Sequence, residues 1–356
     1  MNKKIFIYTY EPRLHVLYSH LINYPPKGYD YIMQKKSNEK LISNLYKNKL
    51  IRWANRNIIK KIVNPVKIRD KLYAKKELPT GTDLIHSIGC LVQKKFPWVV
   101  DLEHVTSLAG LDMNIFLKNK RYIEETLSSD YCKKIMPWTD AGKKSIIESL
   151  NCKNFEDKIE VVRFAAQKRD FIKRYNNKNI KMLFISSINH PEDFEMKGGK
   201  EVLATFEKLS GLYSNIELTI RSWIPKEIKD KYANLKGLNI IEKIISWEEI
   251  DKLFKNADIF LFPTHSTPGL SLLEAMSYEL PIIGSNVWAN SEIVKNKKNG
   301  LIVEKSKNVF YNTKSFIPTM RTKEYQKQIS KIDLDYVNRI VEKTKVLIEN
   351  KNLRRR

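Results

Sequence analysis

The chain is short of cysteine, of acidic residues and of long apolar runs, and each shortage removes a class of protein. Of 356 residues only three are cysteine, Cys90, Cys132 and Cys152. They are odd in number, far apart and part of no CxxC pair or His/Cys cluster, so neither a disulfide framework nor a zinc site is supported. Buried free thiols are expected instead. No apolar stretch approaches the roughly 20 residues that span a bilayer. The opening Met1–Tyr8 starts with basic residues, but its apolar run is too short for a secretory signal. It reads as a first β-strand, and the location expected is cytoplasmic. Asp and Glu number 40 against 64 Lys and Arg, a formal charge of +24. A field of that size favours polyanions: nucleic acid, an anionic membrane surface or phosphorylated substrates. Hydrophobic content of 42% and aromatic content of 10% suffice for two domains of ordinary size. The 29% of charged residues are mixed with apolar runs, which speaks against global disorder.

Short apolar runs alternate with longer amphipathic stretches, the pattern of βα units and a parallel sheet. In the first half the expected strands are Ile5–Tyr8, Tyr29–Met33, Leu84–Ile88, Trp98–Leu102, Lys134–Pro137 and Ile159–Val162. Helical stretches include Leu14–Ile22, Lys40–Lys61 and Asp140–Leu150. In the second half the strands are Lys181–Ile185, Glu217–Ile220, Leu238–Ile241, Asp258–Phe262, Pro281–Ile283 and Leu301–Val303, with helices near Lys200–Leu209, Ser246–Lys255 and Pro268–Tyr278. The polar, basic stretch Gln167–Lys181 separates two self-contained series and reads as a linker. The division expected is a Rossmann-like acceptor domain over 1–168, a Rossmann-like donor domain over 169–325, and a closing helix within 326–356 that packs back on the first domain.

The segment Asp258–Glu304 carries most information. A buried strand, Ile259–Phe262, leads through a polar loop into a helix. Thr267 is a good N-cap, and Pro268 suits the first helical position, where its missing N–H costs nothing. Gly269 permits close backbone approach. A helix start of this kind presents free N–H groups and the positive end of a dipole to an anion such as a diphosphate. Glu274 lies one turn beyond Leu270 on the same face.

In its residues THSTPGLSLLEAMSYELPII, followed by Ser291-Glu292-Ile293-Val294 and Asn299-Gly300-Leu301-Ile302-Val303, this segment resembles the retaining GT-B glycosyltransferases of family four. Their pattern runs roughly PS-x-x-E-G-F-G-L-x-L-L-E-A-M-A-x-G-x-P-V-V, with "PEIV" and "NGLLV" segments after it. The resemblance implies an α/β GT-B fold, two Rossmann-like domains facing a central cleft. It also implies a hexose transferred with retention from a nucleoside diphosphate sugar to a lipid-linked or polymeric glycan acceptor. Glu274 falls on the glutamate that binds the donor ribose, and Gly269, Leu270 and Ser271 fall on the backbone that meets sugar and phosphate, with Pro268 beside them. Ser266 stands where the family has a first glutamate that contacts the transferred sugar. Lys197, in Lys197-Gly198-Gly199, matches the lysine that neutralises the diphosphate. Ser187 replaces the arginine usual there, and Arg221 at the end of the next strand is a further candidate cation. A cation is needed because negative charge develops on the departing diphosphate. Ile245 lies where the family reads the base, and His104, after Trp98–Leu102, matches a histidine under the sugar. The glycine-rich loop usual after the first strand is absent; Arg13 and His15 occupy that place. No cofactor beyond the donor is implied, and no metal, since no DxD-type pair ends a strand.

Residues 47–76 hold eleven Lys or Arg against one acid, Asp70. Apolar residues recur near helical spacing before Pro65, so the stretch reads as a basic amphipathic helix of the kind that binds anionic membranes. The same stripe also suits a solvated helix packed on its own domain. Two other readings of the chain stay open. One is a catalytically degenerate GT-B partner protein, motivated by Ser187 and Ser266. The other is a nucleic-acid binder, motivated by charge but without an RRM, KH or zinc signature.

Overall fold

The computed structural model describes residues 2–9, 16–33, 65–75, 77–173, 179–188, 192–312, 317–318 and 322–355. The helix expected over Lys40–Lys61, most of the basic stretch, Arg13 and His15 lie outside these residues. The chain forms two compact units, one from Met1–Phe164 with Thr313–Ile317 and the other from Ala165–Asn312 with Pro318–Arg356.

The first unit runs β1 (Lys3–Tyr8), α1 (Val16–Asn23), β2 (Tyr29–Ile32), α2 (Pro65–Ala74), β3 (Thr82–Ile88), β4 (Trp98–Leu102), α3 (Met113–Ser128), β5 (Cys132–Pro137) and α4 (Asp140–Ile147). Its sheet is parallel, in the order β2-β1-β3-β4-β5. Buried residues such as Trp98, Val100, Ile135, Phe116 and Ile123 form one core. Helix α3 is not among the elements expected from the sequence. It starts on Asp112, whose carboxylate accepts from the N–H groups of Asn114 and Ile115, and it buries Ile115, Phe116, Ile123 and Leu127 on one face. The strand expected at Ile159–Val162 does not form. Ile159 bridges Ile135, and the N–H groups of Glu160 and Val162 reach the carbonyls of Ile135 and Pro137. Of the four residues only Ile159 is buried, so the segment lacks the apolar face that would hold it as a strand.

The second unit runs β6 (Ile180–Ile185), α5 (Glu192–Met196), α6 (Gly199–Ser210), β7 (Ile216–Arg221), α7 (Lys226–Lys231), β8 (Leu238–Ile241), α8 (Trp247–Asn256), β9 (Ile259–Phe262), α9 (Leu270–Ser277), β10 (Ile282–Ser285), α10 (Asn290–Ile293), β11 (Gly300–Val303), α11 (Lys323–Ile329), α12 (Leu334–Glu349) and α13 (Lys351–Arg354). The sheet is parallel, in the order β11-β10-β9-β6-β7-β8. It is covered on both faces, which is why β9 reads as an unbroken apolar run and is buried throughout. One core holds Met182, Phe206, Leu218 and Leu261, and the other Leu183, Phe260, Leu272 and Ala275.

Strand order decides where a ligand can bind. Sequence order reverses between β6 and β9, the topological switch point beside whose C-terminal strand ends open α/β sheets hold ligands. In the first sheet the reversal falls between β1 and β3.

Helix α12 buries Tyr336, Val337, Ile340, Val341 and Leu347 in the core of the second unit, against α6, β10 and β11. Its apolar stripe is what that sheet face needs to be covered. The stretch ahead of β6 forms no helix or strand over residues 165–173. It is fastened to the second unit by Lys173, whose ammonium donates to the carbonyls of Lys255 (2.7 Å) and Ala257. Phe171 packs on Tyr278.

Candidate functional site

Loops at the C-terminal ends of β6 and β9 bring Lys197 and the residues Thr264–Ser271 together at the switch point. After β6 the chain passes Ser187 and helix α5 before reaching Lys197, and Gly198 starts α6 with a left-handed φ of 83°. A Cβ at Gly198 would fall 2.2 Å from the Pro263 carbonyl oxygen, so only glycine lets the two loops approach this closely. Lys197 Nζ then donates to Ser266 Oγ at 2.9 Å and to the Thr267 carbonyl at 3.0 Å. It lies over the Phe262 ring, 5.5 Å from its centroid.

The start of α9 differs from expectation. Thr267 does not cap it and Pro268 is not its first residue. The N-cap is Gly269, at φ −105° and ψ 161°, and no side chain caps the helix. Thr267 is buried, with its carbonyl taken by Lys197, and is two residues too early to reach the first turn. The uncapped helix start is the feature an anion requires, because the first N–H groups of a helix have no partner within it. A Cβ on Gly269 would come within 3.3 Å of Ser271 Oγ and 3.9 Å of Lys197 Nζ, so the ammonium stands beside the residue that caps that helix. Pro268, Gly269, Leu270 and Ser271 are half-buried, while Thr264–Thr267 behind them are buried.

Ser266 is held from several sides. Its hydroxyl pairs with Thr264 Oγ1 at 2.9 Å, its N–H donates to that same oxygen, and its carbonyl accepts from Asn290 Nδ2 at 3.1 Å. Ser285 Oγ closes the network on the Thr264 carbonyl. Glu274 is half-buried on α9. Burial pushes its carboxyl above the usual range, and the Arg169 charge nearby pulls the other way.

On the neighbouring strand, Arg221 is paired in register with Ile185, and its guanidinium donates to the Ser186 carbonyl at 3.2 Å, next to Ser187. Its Nε is buried without a hydrogen-bond partner, and burial lowers the affinity of the group for its proton. Ser187 is half-buried, and its carbonyl accepts from Trp223 N–H at 3.4 Å. Ile245 is half-buried just ahead of the Ser246/Glu249 capping box that opens α8. Lys197, Ser187, Arg221, Ile245 and Ser266–Glu274 therefore all lie at the C-terminal ends of strands of one sheet or in the segments that follow them. His104 belongs to the first unit. It follows β4, is buried, and its Nδ1 lies 2.9 Å from Thr106 Oγ1.

Some neighbours are not legible in the sequence. Arg169 reaches the end of α9 from the irregular stretch before β6, with its guanidinium 5.3 Å from the Tyr278 ring centroid. Asn290, Thr264 and His265 complete the Ser266 loop. Their partners come from distant parts of the chain, so residue spacing carries no signal for them. In the first unit, Tyr18 Oη donates to Asp101 Oδ1 at 2.7 Å, and His86 Nε2 lies 3.3 Å from Asp101 Oδ2.

Two parallel α/β units, the second with its strand order reversing between β6 and β9, give the GT-B class of fold. Residues 168–331 match the family described as Glycosyl transferases group 1. Solved structures show the same fold. Sucrose-phosphate synthase from Thermosynechococcus elongatus is 12% identical, with 98% of this chain and 97% of that one covered and a TM-score of 0.56. HepE from Anabaena, in complex with UDP and glucose, is 10% identical over 98% of this chain and 95% of that one, with a TM-score of 0.52. TarM from S. aureus, solved as a mutant with Fondaparinux, alpha-GlcNAc-glycerol and UDP, is 14% identical, with a TM-score of 0.51; 76% of this chain is covered, which spans 50% of the length of TarM. No protein of curated function matches the sequence. Among the described residues no helix is long and apolar enough to cross a membrane.

Proposed function

We propose that the protein is a glycosyltransferase that moves a hexose, with retention and without a metal, from a nucleoside diphosphate sugar to a lipid-linked or polymeric glycan acceptor. The observation that carries this reading is Lys197 Nζ lying beside the uncapped start of α9, at the switch point of the second sheet. A cation and a row of free amides converge on one small volume, an arrangement that suits a diphosphate. In this reading Glu274 grips the ribose hydroxyls, the backbone at Gly269, Leu270 and Ser271 holds phosphate and sugar, and Ile245 lies beside the base. As the glycosidic bond breaks, charge grows on the leaving diphosphate. Lys197 stabilises it, and Arg221 takes the place of the cation missing at Ser187. Ser266 is assigned to the transferred sugar. HepE and TarM were both solved with UDP, which makes a uridine diphosphate sugar the first donor to test. An acceptor on an anionic membrane surface, met through residues 47–76, fits the basic charge of that stretch.

A second reading, a GT-B protein that binds its donor but transfers slowly or not at all, is favoured by Ser187 and Ser266. Each puts a small neutral hydroxyl where the resemblance expects a charge. A thermal-shift panel of nucleoside diphosphates and their sugars separates the cases. Stabilisation by one base, abolished in Glu274→Ala, supports donor binding. Sugar release or transfer by the same sample then separates enzyme from partner. A panel in which nothing stabilises the protein overturns the donor site.

A further inference from the structure

Beneath Lys197 and Ser266 lies a second contact between the same two loops, made by residues that the proposed chemistry does not use. Glu201, in the first turn of α6, and His265, in the loop after β9, are each 1% exposed. His265 Nε2 lies 3.1 Å from Glu201 Oε1. Neither ring nitrogen makes an aligned hydrogen bond, so this approach is an electrostatic contact between two buried polar groups. The main chains around it are fixed. The Met196 carbonyl accepts from His265 N–H at 2.8 Å and from Thr264 Oγ1 at 3.1 Å. Tyr325 Oη donates to the His265 carbonyl, and the Tyr336 ring of α12 lies 5.6 Å from the imidazole centroid.

Burying a carboxyl and an imidazole is costly compared with an apolar pair of similar volume. What the pair provides is position. Glu201 follows Lys197 by four residues, and His265 immediately precedes Ser266. The Glu201–His265 contact and the Lys197–Ser266 hydrogen bond therefore span the same two loops as consecutive rungs, one deep in the unit and one at the ligand position. We propose that Glu201 and His265 are positioning residues that set the distance between Lys197 and the start of α9, so that one diphosphate meets both. This rests on the donor site described above. It assigns to the pair the phosphate part of donor recognition and leaves the nucleoside part to Glu274 and the loop at Ile245.

The test compares the wild type with Glu201→Gln, and both again in a Lys197→Ala background. The probes are UDP, GDP and ADP and their nucleosides, with binding measured by calorimetry and folding by melting temperature. For the diphosphate that the wild type binds best, Glu201→Gln is expected to weaken binding about tenfold while nucleoside affinity stays within about twofold. In the Lys197→Ala background the same substitution adds less than about twofold, because coupled residues are not additive. Should Glu201→Gln not fold, Glu201→Met, unbranched and of similar length, replaces it. Equal weakening of nucleoside and diphosphate, or full additivity with Lys197→Ala, reduces the pair to general support and overturns the positioning role. Diphosphate affinity unchanged in Glu201→Gln overturns it too. A wild type that binds none of the three diphosphates overturns the donor site itself.

Discussion

Removal of the Lys197 ammonium tests the donor site most directly, because the structure separates its cost to folding from its cost to binding. The hydrogen bonds of the ammonium include those to Ser266 Oγ at 2.9 Å and to the Thr267 carbonyl at 3.0 Å. In Lys197→Ala the serine keeps Thr264 Oγ1 as partner, and the half-buried space admits water to the carbonyl. The stability lost is then about 1 kcal/mol, the usual net worth of such bonds. The ligand loses more. A unit charge about 4 Å from a phosphate oxygen, at an effective dielectric constant of about 20, is worth about 4 kcal/mol. Removal of one preorganised donor from a developing anion slows turnover by about 100- to 1,000-fold. The expected variant therefore melts close to the wild type, binds the bare nucleoside as the wild type does, binds its diphosphate much more weakly, and has kcat/KM reduced by two to three orders of magnitude. Lys197→Arg, which restores charge with a different shape, recovers part of the loss. Calorimetry with nucleoside and diphosphate, beside an assay of diphosphate release, reads all of this. Diphosphate affinity and turnover within about twofold of the wild type would falsify the placement of the leaving group at Lys197.

Three further outcomes follow from the structure. In the proposed role Glu274 accepts most strongly from ribose hydroxyls when ionised, and burial raises its pKa above the usual carboxylate range. On acidification, nucleoside affinity should therefore fall at a higher pH than for an ordinary glutamate, and Arg169→Gln should move that fall higher still by removing the opposing charge; a pH series of binding in which Arg169→Gln and wild type coincide excludes the coupling. Burial pushes the Cys132 thiol up to about 12 and the Cys152 thiol to about 11, so iodoacetamide at neutral pH should modify neither in the native protein and both in urea. Peptide mass spectrometry that finds Cys132 alkylated without denaturant contradicts its burial. Ile340→Ala in α12, fully buried in the second core, should cost about 2–5 kcal/mol. Hydrogen exchange should place the lost protection in β10, β11 and α6, whereas loss confined to residues before 164 would show that the helix supports the other unit.

The order of strands and helices is largely legible in the sequence. Trp98–Leu102 and Leu238–Ile241 have the bounds expected, and most other strands differ by one or two residues at an end. This is because buried parallel strands must be continuous apolar runs, as Ile259–Phe262 is. Helix α3 is harder to read despite its Asp112 cap, since its polar residues outnumber the stripe that Ile115, Phe116 and Ile123 bury. The cap of α9 falls on Gly269 and not on Thr267, because N-cap propensity is local whereas the Thr267 carbonyl is claimed by Lys197, from a distant loop.

From sequence alone came the two α/β series and the close backbone approach that Gly269 permits, which follow from periodicity and local backbone chemistry. The family resemblance added Lys197 and Glu274 as candidate donor-site residues. The tertiary structure alone decided that β6 and β9 are neighbours, so that Lys197 reaches Ser266, that Arg169 approaches Glu274, and that Glu201 meets His265 in the interior. Each of these depends on parallel strands that pair across dozens of intervening residues, and spacing along a chain does not encode which distant loops will share one sheet edge.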